Sequence, residues 1–211
     1  MTQLSVLLRS NLLLSLSDGV ISVHDIGVQT NPNNGTRTPV ISIRTQLKVK
    51  QAVLFAMDTS TPECRLCVST AKKRLNFYRL AIGSKEFEDL GERQTPDVAR
   101  SLIWAGAKIC VGYKKEYVLF DPKTGASQEL FETGKLGMPI GAVINQQILL
   151  NKDNISIFYG FDGKPSRKYG IAWNEPPVDF GYAFPYVIGL LPSGIELSKN
   201  DKFSFDLSVL T

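Results

Sequence analysis

Three cysteines and one histidine are the residues of this chain with the most evident potential for chemistry. Cys64 and Cys67 have the CxxC spacing of zinc sites and redox motifs. A structural zinc ion takes four ligands, and the chain has no second such pair and only His24 as a histidine. We therefore expect no metal site. Cys67 and Cys110 precede Val68 and Val111 in two similar apolar segments, which predicts buried, reduced thiols in an intracellular protein.

Other patterns that could support catalysis are weak. His24 lies near the end of an apolar, strand-like segment, where an exposed or edge-strand histidine is the simpler interpretation than a general base. The run 133–135 (TGK) resembles part of a phosphate-binding loop but lacks the upstream glycine and the strand-to-helix context. The GxSxG, HExxH and EF-hand patterns do not occur. The sequence thus predicts a protein that is not an enzyme, with no catalytic residue and no cofactor.

The charge pattern offers candidates for binding a partner. Lys and Arg exceed Asp and Glu by 24 to 20, so the net charge is only +4 and we expect no nucleic-acid partner. Basic residues cluster at two predicted turns, as Lys72, Lys73 and Arg74, and as Lys114 and Lys115. Solvated charge is the ordinary interpretation of such turns. The alternative is contact with an acidic partner or membrane surface, and these five residues are the candidates for it.

The elements that carry these residues recur about every forty residues. Each repeat has a short apolar strand, a polar turn and an alternating strand. The repeats are 12–26 (LLLSLSDGVISVHDI), 66–80 (LCVSTAKKRLNFYRL), 109–121 (ICVGYKKEYVLFD), 148–159 (ILLNKDNISIFY) and 187–197 (VIGLLPSGIEL). Short β-rich stretches between them supply two further strands per unit, and no window has a helical period. This pattern predicts an all-β fold of WD40-like β-propeller blades, a partial propeller of four to five blades.

Two segments and the domain organisation receive separate predictions. The apolar N-terminal run 4–16 is interrupted by Arg9 and Asn11, so we interpret it as core strand rather than a targeting segment. The polar run 27–38 (GVQTNPNNGTRT) is expected to be a flexible surface loop. We treat 1–211 as a single domain.

Several motifs of the chain resemble the citron homology domain. They are 16–25 (LSDGVISVHD), 95–97 (TPD), Trp104, 109–117 (ICVGYKKEY), 129–135 (ELFETGK), Trp173 and 184–188 (FPYVI). Their order and spacing, over about residues 10–197, are most similar to the vacuolar-sorting tethering subunit of the HOPS complex, the Vam/Vps thirty-nine type. A close relative is the TGF-β-receptor-associated subunit of the CORVET complex, which matches the motifs 20–25 and 109–112 less well.

The resemblance implies a non-enzymatic interaction domain in endosome-to-lysosome or vacuole tethering. Its implied partners are a Rab-type small GTPase and HOPS or CORVET subunits, at the cytoplasmic surface of late endosomes and lysosomes. An alternative from another class is a regulatory citron homology domain that binds a Rho-type GTPase in a kinase or exchange factor. A propeller enzyme or lectin is the third class, and the chain lacks a catalytic constellation for it.

The chain departs from the family in two ways. Family members have further blades before these motifs and a helical solenoid after them, and the segment 198–211 no longer resembles them. We therefore expect a fragment, with an uncovered apolar surface where a neighbouring blade would pack.

Overall fold

The computed structural model describes residues 2–199 and the backbone of 205–206. All regular structure in this part is β, apart from one 3-10 turn at Leu8–Ser10. All five predicted hairpins are present, each in its own antiparallel sheet. The first four have a further strand on both sides, and the fifth lies at the edge of a three-stranded sheet. The short strands follow from the sequence, because β-branched and aromatic residues alternate with polar ones between glycine, proline and asparagine.

The sheets follow one another along the chain. Sheet one has β1 (Gln3–Leu7), β2 (Leu12–Ser17), β3 (Val20–Thr30) and β4 (Arg37–Gln46); sheet two has β5 (Ala52–Asp58), β6 (Cys64–Thr70), β7 (Arg74–Leu80) and β8 (Phe87–Gln94). Sheet three has β9 (Ser101–Ala105), β10 (Lys108–Gly112), β11 (Glu116–Phe120) and β12 (Ser127–Glu132). Sheet four has β13 (Gly141–Ile144), β14 (Gln147–Lys152), β15 (Ile155–Tyr159), β16 (Tyr169–Ala172) and a short β20 (Phe205–Asp206). Sheet five has β17 (Asp179–Ala183), β18 (Tyr186–Leu191) and β19 (Gly194–Lys199).

The chain divides into two compact units, Met1–Val98 and Ala99–Thr211. In the first unit, sheets one and two share a core to which Leu14, Ile21, Phe55 and Leu66 belong. In the second unit, one core joins sheets three and four, and another joins sheets four and five. Whether 1–211 forms a single domain stays a prediction.

The turns of the central hairpins lie where the sequence places them, with one shift. Asp18 and Gly19 both have positive φ, +52° and +73°, the backbone of a tight type I′ turn. The sequence predicts the fifth turn at Ser193 and Gly194, but it is formed by Pro192 and Ser193, since Gly194 already belongs to β19.

The prediction of a surface loop over 27–38 is wrong in its extent. Residues 27–30 continue β3 and pair with 37–40 of β4, so only 31–36 form the connection. The side chain of Asn31 accepts a hydrogen bond from the N–H of Asn33, and that of Asn34 accepts one from Thr36. Such local turns let a polar segment return on itself, and the flanking residues can then complete the ladder.

The N-terminal run is only partly core. Leu12, Leu14 and Leu16 of β2 are fully buried, as predicted. β1 is the edge strand of sheet one, and its Leu4 and Val6 are about half exposed. In the segment 198–211, Ser198 and Lys199 end β19, and the rest lies outside the described residues except for the backbone of β20.

Candidate partner-binding surfaces

In the first basic turn, between β6 and β7, two of the three cationic side chains bind to other groups of the first unit. Arg74 donates to the Glu92 carboxylate at 2.6 Å. Lys73, held at a φ of +58°, donates to the Pro96 carbonyl at 3.2 Å and lies 4.0 Å from the carboxylate of Asp97. Within residues 2–199 we find no such partner for Lys72, which is exposed. Lys72 is therefore the residue of this turn most available to a partner.

Two further lysines share a hollow with this turn, and the sequence analysis missed them. Lys48 and Lys50 lie in the connection from β4 to β5, on either side of buried Val49. Together with Lys72 and Arg74 they line a cavity of about 220 Å³. The alternation of lysine, valine and lysine was the available signal, since burial of Val49 turns both flanking lysines outward.

The same hollow has an acidic side. Asp89 and Glu92 line it together with Tyr78. Burial, followed by the nearby charges of Asp89 and Glu92, raises the pKa of Tyr78 to about 12, so its hydroxyl keeps its proton at neutral pH. Because Glu92 already pairs with Arg74, three lysines, Lys48, Lys50 and Lys72, remain against the one carboxylate of Asp89, and the net charge of this hollow is positive.

The second basic turn, in the second unit, has a fixed backbone and exposed side chains. The Thr133 hydroxyl donates to the Lys114 carbonyl at 2.8 Å, and the Thr133 N–H donates to the Lys115 carbonyl at 2.9 Å. Tyr113, at the start of the turn, is buried and anchors it. Both lysine side chains are consequently presented to solvent from a rigid base.

A loop beside this turn adds apolar surface. The carboxylate of Asp153 accepts hydrogen bonds from the N–H groups of Lys135 and Leu136, at 2.6 and 2.7 Å, and so holds the loop after β12. Leu136 and Met138 of this loop are exposed by 74% and 56%. Exposed apolar groups beside cations are typical of protein-binding surfaces, and apolar residues between two predicted strands were the overlooked signal.

The residues considered for catalysis do not form a site. His24 is not on an edge strand: it lies in β3, between β2 and β4, half-buried, with Nε2 2.8 Å from the Ser15 hydroxyl. The run 133–135 leads into a loop that Asp153 holds, and no helix follows it. In the described part of the chain, no three His, Cys, Asp or Glu side chains are placed to hold a metal ion.

The cysteines are buried, as predicted for Cys67 and Cys110, and Cys64 is buried as well. Burial raises the pKa of Cys64 to about 11 and the pKa values of the other two thiols further above the usual range. A thiol that keeps its proton is a poor nucleophile and a poor metal ligand.

Separately, we find no helix among the described residues that is long and apolar enough to cross a membrane.

Comparison with known families decides which group of proteins the chain is part of. The family model of the CNH domain matches residues 1–201, almost the whole chain. The chain belongs to the CNH domain family. The resemblance of its motifs to the citron homology domain is thereby confirmed.

The curated relatives of this CNH domain include vacuolar-sorting proteins. It is 32% identical to the human Vam6/Vps39-like protein over 205 residues, 92% of this chain and 21% of the relative. It is 31% identical to Vacuolar sorting protein 39 of Arabidopsis thaliana, over 92% of this chain and 18% of the relative. It is 25% identical to the bovine Transforming growth factor-beta receptor-associated protein 1, over 84% of this chain and 20% of the relative. The chain thus spans about a fifth of the length of these proteins.

Solved structures agree on the fold. The CNH domain of AfRom2 matches with a TM-score of 0.68 at 19% identity, over 94% of this chain and 66% of that one. The WD40 domain of Neurospora crassa Pan2 matches with a TM-score of 0.62 at 10% identity, over 94% of this chain and 61% of that one. The predicted all-β fold of propeller blades is confirmed.

Proposed function

We propose that this CNH domain is a non-enzymatic protein-interaction platform in vacuolar sorting and membrane tethering. The observation that carries the proposal is the match to Vam6/Vps39-like proteins over 92% of the chain. The described residues fit a binding role, because the three thiols are buried and Lys48, Lys50 and Lys72 are exposed on connections between strands.

The partners that this role implies are a Rab-type small GTPase and subunits of the HOPS and CORVET tethering complexes. Membrane association would then be peripheral, through these partners, on the cytoplasmic side of late endosomes, lysosomes or vacuoles. Stiff sheets with short turns suit docking, because a preorganised surface loses little conformational entropy on binding.

The proposed contacts are the two basic turns, Lys72–Arg74 and Lys114–Lys115, each by itself a candidate to meet an acidic surface of a partner. In the first, Lys72 acts with Lys48 and Lys50, while the charges of Lys73 and Arg74 are already matched by acidic groups of the chain. Exposed charges steer encounter and are screened by salt, so association is expected to weaken as ionic strength rises.

The test is retention of purified late-endosomal GTPases, in their GTP- and GDP-bound states, and of HOPS and CORVET subunits by the immobilised 211-residue chain. Two charge-reversed variants follow, Lys50→Glu with Lys72→Glu and Lys114→Glu with Lys115→Glu. Lys123→Glu is the matched control, since it lies on the β11–β12 turn, at the other end of β11 from Lys115. We expect at least one double variant to bind about tenfold or more weakly, which corresponds to a loss of about 1.4 kcal/mol in binding free energy. The affinity of the control is expected to be unchanged.

Equal binding by all variants would remove the basic turns from the proposal. Retention of none of these proteins, by a chain with the circular dichroism of a folded β-protein, would contradict the tethering role itself. Selective retention of a Rho-type GTPase would favour the alternative regulatory role.

A further inference from the structure

Sheet four shows how neighbouring sheets pack in this molecule. Ile148 and Leu150 of β14 lie in the core shared with sheet three, beside Cys110 and Tyr117. Leu149, between them, lies in the core shared with sheet five. Successive residues of a strand point to opposite faces, so sheet four has one face for the preceding sheet and the other for the following sheet.

Within the described residues, one of the two faces of sheet five packs on another sheet in this way. Val187 and Leu191 of β18 are buried against sheet four. The opposite face carries two apolar cross-strand pairs, Ile188 with Leu197 and Leu190 with Ile195. Ile195 and Leu197 are exposed by 69% and 59%, which is unusual for neighbouring apolar residues of a soluble sheet.

Sheet one has the same property on its other side. Leu14 and Ile21 are buried against sheet two. The register places the apolar pairs Ile26 with Ile41 and Val28 with Pro39 on the opposite face, and Ile43 of β4 follows on that face. Val28, Ile41 and Ile43 are exposed by 58% to 66%. This outer face of sheet one is the kind of face that packs on a preceding sheet.

The two uncovered faces therefore differ in the kind of neighbouring sheet that each would receive. The outer face of sheet five is of the kind that receives a following sheet, and the outer face of sheet one is of the kind that receives a preceding sheet. We infer that the outer face of sheet five binds the outer face of sheet one of a second copy of this chain. The contact continues between copies the stacking that sheets three, four and five show within one copy.

The area of the outer face of sheet five indicates to which size class of interface this contact belongs. Three strands of five or six residues, at about 4.8 Å between strands and about 3.4 Å per residue, cover roughly 300 Å² in projection. A contact of this size belongs to the weak class of interfaces. We therefore expect self-association in the micromolar to millimolar range, visible as a mass that rises with concentration.

Sedimentation equilibrium of the full chain, up to roughly 0.5 mM, is the first measurement, since it covers most of that range. The expected mass rises above the 23.3 kDa of the monomer. A monomeric mass over the whole range would overturn the inference and leave these faces to an occupant other than this chain.

A pair of variants tests which faces meet. Ile41→Asp with Ile43→Asp blocks sheet one, and Ile195→Asp with Leu197→Asp blocks sheet five. Each variant alone is expected to be monomeric, whereas their equimolar mixture forms a one-to-one heterodimer through the two intact faces. Val53→Asp with Leu90→Asp, at exposed apolar positions on sheet two, is the control and keeps the association.

Other results contradict the inference in distinct ways. Self-association of either blocked variant alone means that like faces meet, and absence of the heterodimer means that these two faces do not bind each other. The heterodimer also shows that both variants fold, so loss of association in each alone cannot then be ascribed to unfolding.

Discussion

Tyr117 shows how much one side chain contributes to joining two sheets. Its ring is fully buried and stacks on Phe131 with centroids 5.2 Å apart. Its hydroxyl has one proton to donate and lies within hydrogen-bond distance of two carbonyls of the next sheet and its approach, those of Ile140 at 3.0 Å and Asn151 at 2.8 Å. Burial raises its pKa well above the usual range, so it remains a donor at all ordinary pH values.

We expect Tyr117→Phe to lower the free energy of unfolding by about 1–2 kcal/mol, because it leaves a buried carbonyl without its donor. Tyr159→Phe is the matched control. The hydroxyl of Tyr159 is 3.5 Å from the Leu130 carbonyl, at the limit of a hydrogen bond, and a loss below about 0.5 kcal/mol is expected. Urea unfolding measures both, and equal losses would contradict this role for Tyr117.

The buried thiols predict slow chemical modification of the folded protein. Burial holds the thiols of Cys64, Cys67 and Cys110 in the protonated form, and alkylation requires the thiolate. At pH 8, iodoacetamide is expected to label all three cysteines in 6 M guanidinium and none at a comparable rate in buffer. Mass spectrometry gives the count, and fast labelling of Cys67 or Cys110 in the folded protein would show that its strand opens.

At the scale of elements, the first hairpin depends on a glycine that has little freedom to change. Gly19 has a φ of +73°, and a Cβ placed there would be 3.1 Å from the Cα of Gln51. A left-handed backbone is costly for a residue with a Cβ, and here the space is also restricted.

Gly19→Ala is therefore expected to cost about 1 kcal/mol or more. Gly194→Ala provides the comparison, because Gly194 begins β19 in another hairpin and a Cβ there meets nothing within 4 Å. That change should stay within about 0.5 kcal/mol. Thermal unfolding of the two variants under the same conditions decides, and a similar loss in both would show that the turn is not the cause.

At the scale of the whole molecule, the buried thiols and tyrosines are expected to make the free energy of unfolding decrease as pH rises in the alkaline range. The pKa of Cys64 is raised to about 11 and that of Tyr78 to about 12, while in the unfolded chain they ionise at about 8.5 and 10. Above pH 8.5 the unfolded chain therefore binds fewer protons than the folded one. The stability these groups contribute is complete below their unfolded pKa values and is lost as pH rises toward the folded ones.

We expect the free energy of unfolding to fall between pH 8 and pH 10.5, by up to about 1.4 kcal/mol per pH unit for each group that titrates only when unfolded. Urea titrations at several pH values measure this slope. Cys110→Ala removes one such group and should reduce the slope, whatever its effect on stability at pH 7. A stability that does not change over this range would contradict the burial of the thiols.

The repeat, the all-β class and the positions of the central hairpins could be predicted from the sequence alone. These follow from local patterns, since alternation sets strand faces and residues such as Asp18 and Gly19 set turns. The burial of Cys67 and Cys110 in the core could be predicted as well, because equivalent positions in equivalent strands have equivalent surroundings.

Which groups meet across sheets and connections depends on how the chain folds in three dimensions. Glu92 forms an ion pair with Arg74, and Asp97 forms one with Lys73. Lys48 and Lys50 lie in the same hollow as Lys72. The ladder also extended through 27–30 and 37–38, which belong to the loop predicted over 27–38. Such pairings join residues distant in sequence, and their energy depends on burial and on what lies opposite, which a local pattern does not contain.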